Sequence, residues 1–276
     1  MKTLSTTIFT LLLFLLFSFS IKKKRAEVYD LSCNNLKDPI GINNTTPTLS
    51  WKIKSDENNQ IQTAFQVIVA SSPKNLSERK ADLWNSGKIK SSQSIQVKYE
   101  GTDLESRQKC WWSVRIWDKD GKATKWSEPA YFEMGLLNAD DWAANWIKTG
   151  IEFDEYSYPS PHFRKEFSVE KEIDHARLYV TSLGLYEFYL NGEKVGDQLF
   201  TPGWTSFDDR ILYQTYDITD MLMTGDNAAG AILGNGWYRA FRPNNRSEVD
   251  IQELKLLPQI AIIYSDGSSA VINTAK

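Results

Sequence analysis

The sequence is poor in the residues that carry metal and nucleophilic chemistry. Its 276 residues include two cysteines, Cys33 and Cys110, and two histidines, His162 and His175. Two histidines are too few for a His-based zinc site, and the cysteines do not have metal-ligand spacing. In an oxidising compartment the two thiols could pair; separate burial as small apolar side chains is the favoured reading. Charge of one sign is also lacking. A net charge of −3 leaves no electrostatic case for nucleic acid, whose binders carry basic faces. Neither Gly225-Asp226-Asn227 nor Gly234-Asn235-Gly236 runs into a helix start, so no phosphate cradle is indicated.

Long apolar runs are absent except at the N-terminus. Ile8 to Ile21 is fourteen residues of mostly Leu and Phe behind Lys2. That length suits a signal-peptide core and falls short of a membrane span, which needs about 20. Ser18-Phe19-Ser20 supplies a small-x-small cleavage pattern, giving a signal peptide over 1–20 and an exported protein, periplasmic or at the cell surface. Lys22-Lys23-Lys24-Arg25 just beyond the cleavage site hinders export, so an uncleaved anchor is the alternative.

Aromatics are plentiful: ten Trp, twelve Tyr and thirteen Phe. They suit a sandwich core first and a sugar-stacking surface second. Residues 27–135 read as one all-β domain. Its strands lie at Thr48–Trp51, Ala64–Ala70 and Ile95–Tyr99, then at Cys110–Trp117, where Cys110, Trp112, Val114 and Ile116 share one face, and finally at Ala130–Glu133. Asp118-Lys119-Asp120-Gly121 reads as a turn, because Pro129 stands where a calcium loop needs its closing Glu. Residues 136–160 read as a connector, with Trp142 and Trp146 as packing groups.

Residues 161–276 read as a second sandwich, jelly-roll-like, ending close behind its last strand and so expected to be truncated at its C-terminal end. Ala176, Leu178 and Val180 alternate with Arg177, Tyr179 and Thr181, the pattern of a half-buried strand. Gly184 interrupts it, and the aromatic run Leu185–Leu190 ends at Asn191-Gly192, a strong signal for a tight hairpin. Pro202-Gly203-Trp204 then places an indole on a loop. Residues 228–234, AAGAILG, read as a buried central strand.

Five segments of the second half, in order, resemble the N-terminal domain of bacterial α-L-rhamnosidases: FRKEF (163–167), ARLYVTSLGLYEFYLNGEKVGD (176–197), PGWTSFDDR (202–210), YQTYDIT (213–219) and LGNGWYR (233–239). Ahead of them, CWWSVRIWDKDG (110–121) and KWSEPAYFEMG (125–135) resemble a fibronectin type III-like domain. That family commonly has a corner-anchoring Tyr where Cys110 stands, so the resemblance implies that the anchor is missing here. The rhamnosidase family hydrolyses terminal α-L-rhamnosyl bonds with inversion, using two carboxylic acids of an (α/α)6 barrel about 6.5–9.5 Å apart. That barrel lies C-terminal to the region seen here. No acid of this chain matches the catalytic pair, and Asp140-Asp141 and Asp208-Asp209 are adjacent residues pointing apart. The resemblance therefore implies a non-catalytic region that positions a catalytic barrel elsewhere in the polypeptide.

Domains of this type also bind rhamnose in some members, with calcium in some. Trp204, Asn235, Trp237, Tyr238 and Arg239 are the residue types such a site needs: an aromatic face for the sugar C–H surface and polar groups for its hydroxyls. Packing of Trp204 and Trp237 against the barrel is the competing role. The expected partners are rhamnose-containing glycans or glycosides and the catalytic barrel. A stand-alone exported carbohydrate-binding or adhesion module is the alternative function.

Overall fold

A computed structural model describes residues 26–150, 159–239 and 253–274. The first seven strands are β1 (Glu27–Cys33), β2 (Thr48–Lys54), β3 (Ala64–Ala70), β4 (Trp84–Asn85), β5 (Val97–Lys98), β6 (Lys109–Trp117) and β7 (Ala130–Glu133). They form antiparallel sheets of order β1-β2-β5 and β4-β3-β6-β7, the three-on-four arrangement of an immunoglobulin-like sandwich. Alternation along β6 works as the sequence predicts: Cys110, Trp112, Val114 and Ile116 are fully buried between the sheets. Some polar groups inside are paired, although the buried Trp112 indole N–H has no partner. The Trp51 indole donates to Gln62 Oε1 at 3.0 Å, and the Gln62 amide donates to the Ser91 and Gln93 carbonyls.

Two features of this domain differ from expectation. The stretch Ile95–Tyr99 pairs only at Val97 and Lys98, because Gln96 takes a positive φ of 53°. Cys110 itself anchors no corner, yet a different residue makes a bond of that kind. Tyr99, eleven residues before Cys110, is buried, and its hydroxyl donates to the Thr102 carbonyl at 2.9 Å. Cys33 and Cys110 are separate buried thiols. The 118–121 turn closes through Asp118, whose Oδ1 accepts the amides of Asp120 and Lys122.

A short strand, β8 (Ile147–Lys148), leads to β9 (His162–Val169), β10 (Ile173–Leu183), β11 (Leu185–Leu190), β12 (Glu193–Lys194), β13 (Gln214–Asp217), β14 (Gly225–Gly234), β15 (Lys255–Tyr264) and β16 (Ser269–Ile272). One sheet has the order β12-β11-β14-β9, the other β13-β10-β15-β16, with β8 also on β15. Strands largely alternate between the sheets, as in a jelly roll. Gly184 makes the crossing from β10 to β11. Its φ of +118° and the Gly234 carbonyl oxygen, 2.6 Å from where a Cβ would stand, exclude any side chain. The Asn191-Gly192 turn forms as its sequence requires, with φ of 52° and 88°, and Leu190 faces Glu193.

Pro258 has no N–H to give a ladder. It lies in the gap on the β15 edge between β8, paired at 255–256, and β16, paired at 260–263. Through β8 the connector is part of the second sandwich. Ala143 and Gln259, and Asn145 and Thr274, are further joined by hydrogen bonds.

The strand β10 is buried on both faces, not half-buried. Ala176, Leu178 and Val180 enter the core, and on the opposite face Tyr179 is 1% exposed and Arg177 6%. The first sandwich covers that outer face. Arg177 donates to both carboxylate oxygens of Glu133 in β7, Nε–Oε1 at 3.0 Å and Nη2–Oε2 at 2.8 Å.

Candidate functional site

The segment 199–213 is held to the second sandwich at few points. The Tyr186 amide donates to the Thr201 carbonyl at 2.9 Å, and the Thr201 hydroxyl returns a bond to the Tyr186 carbonyl at 2.8 Å. The Gln214 amide donates to Pro202 O at 3.2 Å. Beyond these ties the segment turns outward. The Ser206 carbonyl accepts the amides of Asp209 and Arg210, and the Ser206 hydroxyl donates to Asp209 Oδ2 at 2.7 Å. Asp209 is thus a turn residue.

Trp204 is 74% exposed at the outer part of this segment. Trp237 follows β14 in a turn closed by a 3.1 Å bond from the Arg239 amide to the Asn235 carbonyl. The two indoles lie in nearly parallel planes, 7° apart with ring centroids at 6.2 Å. Of the five residues the sequence singles out, Trp204 and Trp237 therefore come together as a parallel ring pair. Tyr238 turns to a different neighbour, Phe207, edge-on at 5.1 Å. Asn235 supplies the turn, and Arg239 Nε is shielded from solvent.

Sequence reasoning missed Leu199 and Phe200. Both are exposed, and Phe200 stands edge-on to Trp237 at 6.1 Å. Their signal was two large apolar residues just beyond Gly196-Asp197-Gln198, where a polar turn is the rule. Phe200, Trp204 and Trp237 form an apolar face, with exposed Leu199 next to Phe200 in the chain, at the end of the sandwich where β10 stops and β15 begins. Such a face stacks on the C–H surface of a sugar or packs against another protein surface. Among the described residues no group of three or more His, Cys, Asp and Glu could hold a metal ion, so the calcium implied by resemblance finds no such ligand set there.

The fold and this surface define a two-domain all-β module: an immunoglobulin-like sandwich fused to a jelly-roll-like one that presents aromatics at one end. Comparison with known proteins gives the family. Residues 28–138 match the Rha78A-like N-terminal immunoglobulin domain, and residues 171–276 match the α-L-rhamnosidase N-terminal domain. The chain is 40% identical over 256 residues to an α-L-rhamnosidase of Formosa agariphila, a match covering 84% of this chain and 27% of the relative. Among solved structures it resembles the α-L-rhamnosidase from Dictyoglumus thermophilum, with a TM-score of 0.80 and 37% identity, covering 89% of this chain and 28% of the other. The native enzyme from Aspergillus terreus gives a TM-score of 0.78 and 32% identity, covering 90% and 28%. This chain belongs to the α-L-rhamnosidase family and corresponds to the N-terminal portion of its members. It spans about a quarter of the length of the curated relatives it matches.

Proposed function

We propose that this chain is the non-catalytic N-terminal region of an exported α-L-rhamnosidase, a hydrolase that releases terminal α-L-rhamnose from glycans or glycosides. It supports and positions the catalytic part of the protein. The observation that carries this reading is the exposed face of Phe200, Trp204 and Trp237, with exposed Leu199 next to Phe200 in the chain. A patch of this kind on a soluble domain marks a contact surface. The direction of β16 supports the assignment. Ile272 lies opposite Ile260, so the strand runs back toward the Lys255 end of β15, the end that carries the aromatic face. A chain that continues as the relatives do is delivered to that surface.

The test is a pair of assays. The chain alone should leave an aryl α-L-rhamnoside unhydrolysed; turnover lost on mutating an acid of this chain would refute the reading. Placed in the full-length enzyme, a Trp204→Ser/Trp237→Ser variant should lower the thermal stability of the catalytic part. An unchanged full-length melting profile would count against the contact.

A second reading rests on the parallel Trp204–Trp237 pair, the geometry of a sugar-stacking platform. It predicts rhamnose binding by calorimetry that weakens on Trp204→Ala. No heat with folded protein removes it.

A further inference from the structure

Antiparallel sheets commonly turn one face to water and read as alternating apolar and polar residues. The β13-β10-β15 sheet does not. Outside the core its residues Arg177, Tyr179, Thr181 and Gln259 are all buried, Gln259 completely. The cover comes from the other sandwich and from the connector. Arg107 lies over the Tyr179 ring at 5.7 Å, and the Tyr213 hydroxyl accepts the Leu136 amide at 2.7 Å. Trp142 packs edge-on to Tyr213 at 5.5 Å. Gln259 accepts from the Ala143 amide at 2.5 Å and donates to the Asp141 carbonyl at 3.1 Å. Gly41 and Gly135 bring backbone so close that an added Cβ would meet Thr215 Oγ1 at 2.5 Å and the Tyr213 hydroxyl at 2.2 Å.

The centre of this contact is charged. Arg177 gives Nε and Nη2 to Glu133, and Nη1 to the Ala176 carbonyl at 3.1 Å and to Asp217 at 2.9 Å. Glu133 is 2% exposed and also accepts the Tyr131 hydroxyl. A pair buried this deeply is compensated only while both members are present, because a lone charge left behind retains its full desolvation cost.

We infer that the immunoglobulin-like sandwich is a built-in folding partner of the second sandwich: it completes the outer face of the β13-β10-β15 sheet, and Glu133 is the residue that keys it there. The second sandwich has a core of its own, but its polar face on that side is covered, and Arg177 there gives two of its nitrogens to Glu133 of the first sandwich. Its stability is therefore set in part by a side chain in the neighbouring domain.

Hydrogen exchange on the full chain, read by mass spectrometry, tests this. Glu133→Ala is expected to speed exchange at least tenfold in peptides over 173–183 and 255–264, all in the other domain. Glu78→Ala, which removes an exposed partner of Arg115 on the first sandwich, should leave those peptides unchanged. The double variant Glu133→Gln/Arg177→Met removes both charges and should restore most of the lost protection. If Glu133→Ala speeds exchange only within 27–133, the inference is overturned. If that variant fails to fold, Arg107→Ala, on the first sandwich over the Tyr179 ring, replaces it: faster exchange at 173–183 supports the dependence, and unchanged exchange there overturns it.

Discussion

At the scale of single residues, burial decides reactivity. The Cys33 thiol is pushed up to about 12 by loss of hydration, and Cys110 is raised further by burial and by its neighbour Cys33. Because the thiolate is the reactive form, both should resist a disulfide reagent at pH 8 in the native state and react fully on denaturation. Rapid native labelling would contradict the packing. Gly184 is the opposite case, a residue defined by what cannot be there. Gly184→Ala combines a left-handed backbone with a backbone clash and should cost about 3 kcal/mol in denaturant unfolding. Trp204→Ala should cost below about 1 kcal/mol, since the indole is exposed and loses little beyond its ring contact. Residue signals of this kind were legible in sequence where they were local. Asn191-Gly192 specified its turn, and Trp204 stood out on its loop. Leu199 and Phe200 were not legible as surface, because an apolar pair carries no mark of which way it faces. The stacking of Trp204 on Trp237 joins two loops thirty-three positions apart, which no local pattern encodes.

At the scale of elements, side-chain networks fix where strands begin. Asn227 at the start of β14 is 3% exposed and uses its whole amide. It donates to the Met223 and Gly225 carbonyls, and it accepts from the Met223 amide and from Asn191. Asn191 in turn accepts the Ala228 amide and donates to Met221 O. The hairpin turn and the entry to β14 are thereby one unit. Asn227→Leu leaves several buried partners unmatched and should lower stability by about 2–4 kcal/mol, measured as a shift in the urea midpoint. Alternation predicted the strands, and it correctly placed Ala176, Leu178 and Val180 inside. It could not show that Arg177 and Tyr179 are also covered, because polar and aromatic residues read as a solvent face until a partner is placed against them. Tyr99 illustrates the same limit: its anchoring bond depends on a corner whose shape only the folded chain supplies.

At the scale of the molecule, two carboxyls at or beside the contact between sandwiches carry a pH signature. Burial raises Asp217, but the Thr219 hydroxyl and amide and the Arg177 guanidinium outweigh it and hold the carboxyl below its usual range. Asp141 behaves likewise: burial is overcome by Ser106, the Asn138 amide and Arg107. A depressed carboxyl contributes stability that is complete above its unfolded pKa of ~3.9 and lost as pH falls through the lower folded value. The melting temperature should therefore be flat with respect to these two groups above about pH 5 and fall below pH 4. Asp217→Asn should flatten that acid limb; an unchanged limb would remove Asp217 from the account. Family membership was readable from five ordered segments, because motif order survives without coordinates. The packing of one sandwich on the other was not, since its contacts pair residues such as 133 with 177 and 41 with 215.

The two-residue strand β8 has a practical consequence for anyone recombining these modules. A graft cut after residue 160 carries away an edge strand that belongs to its neighbour, while a cut before residue 136 leaves that strand but strips off Glu133. No scission point in the chain separates the halves cleanly. Exchange between relatives should succeed only when both sandwiches and the stretch joining them travel as a single cassette.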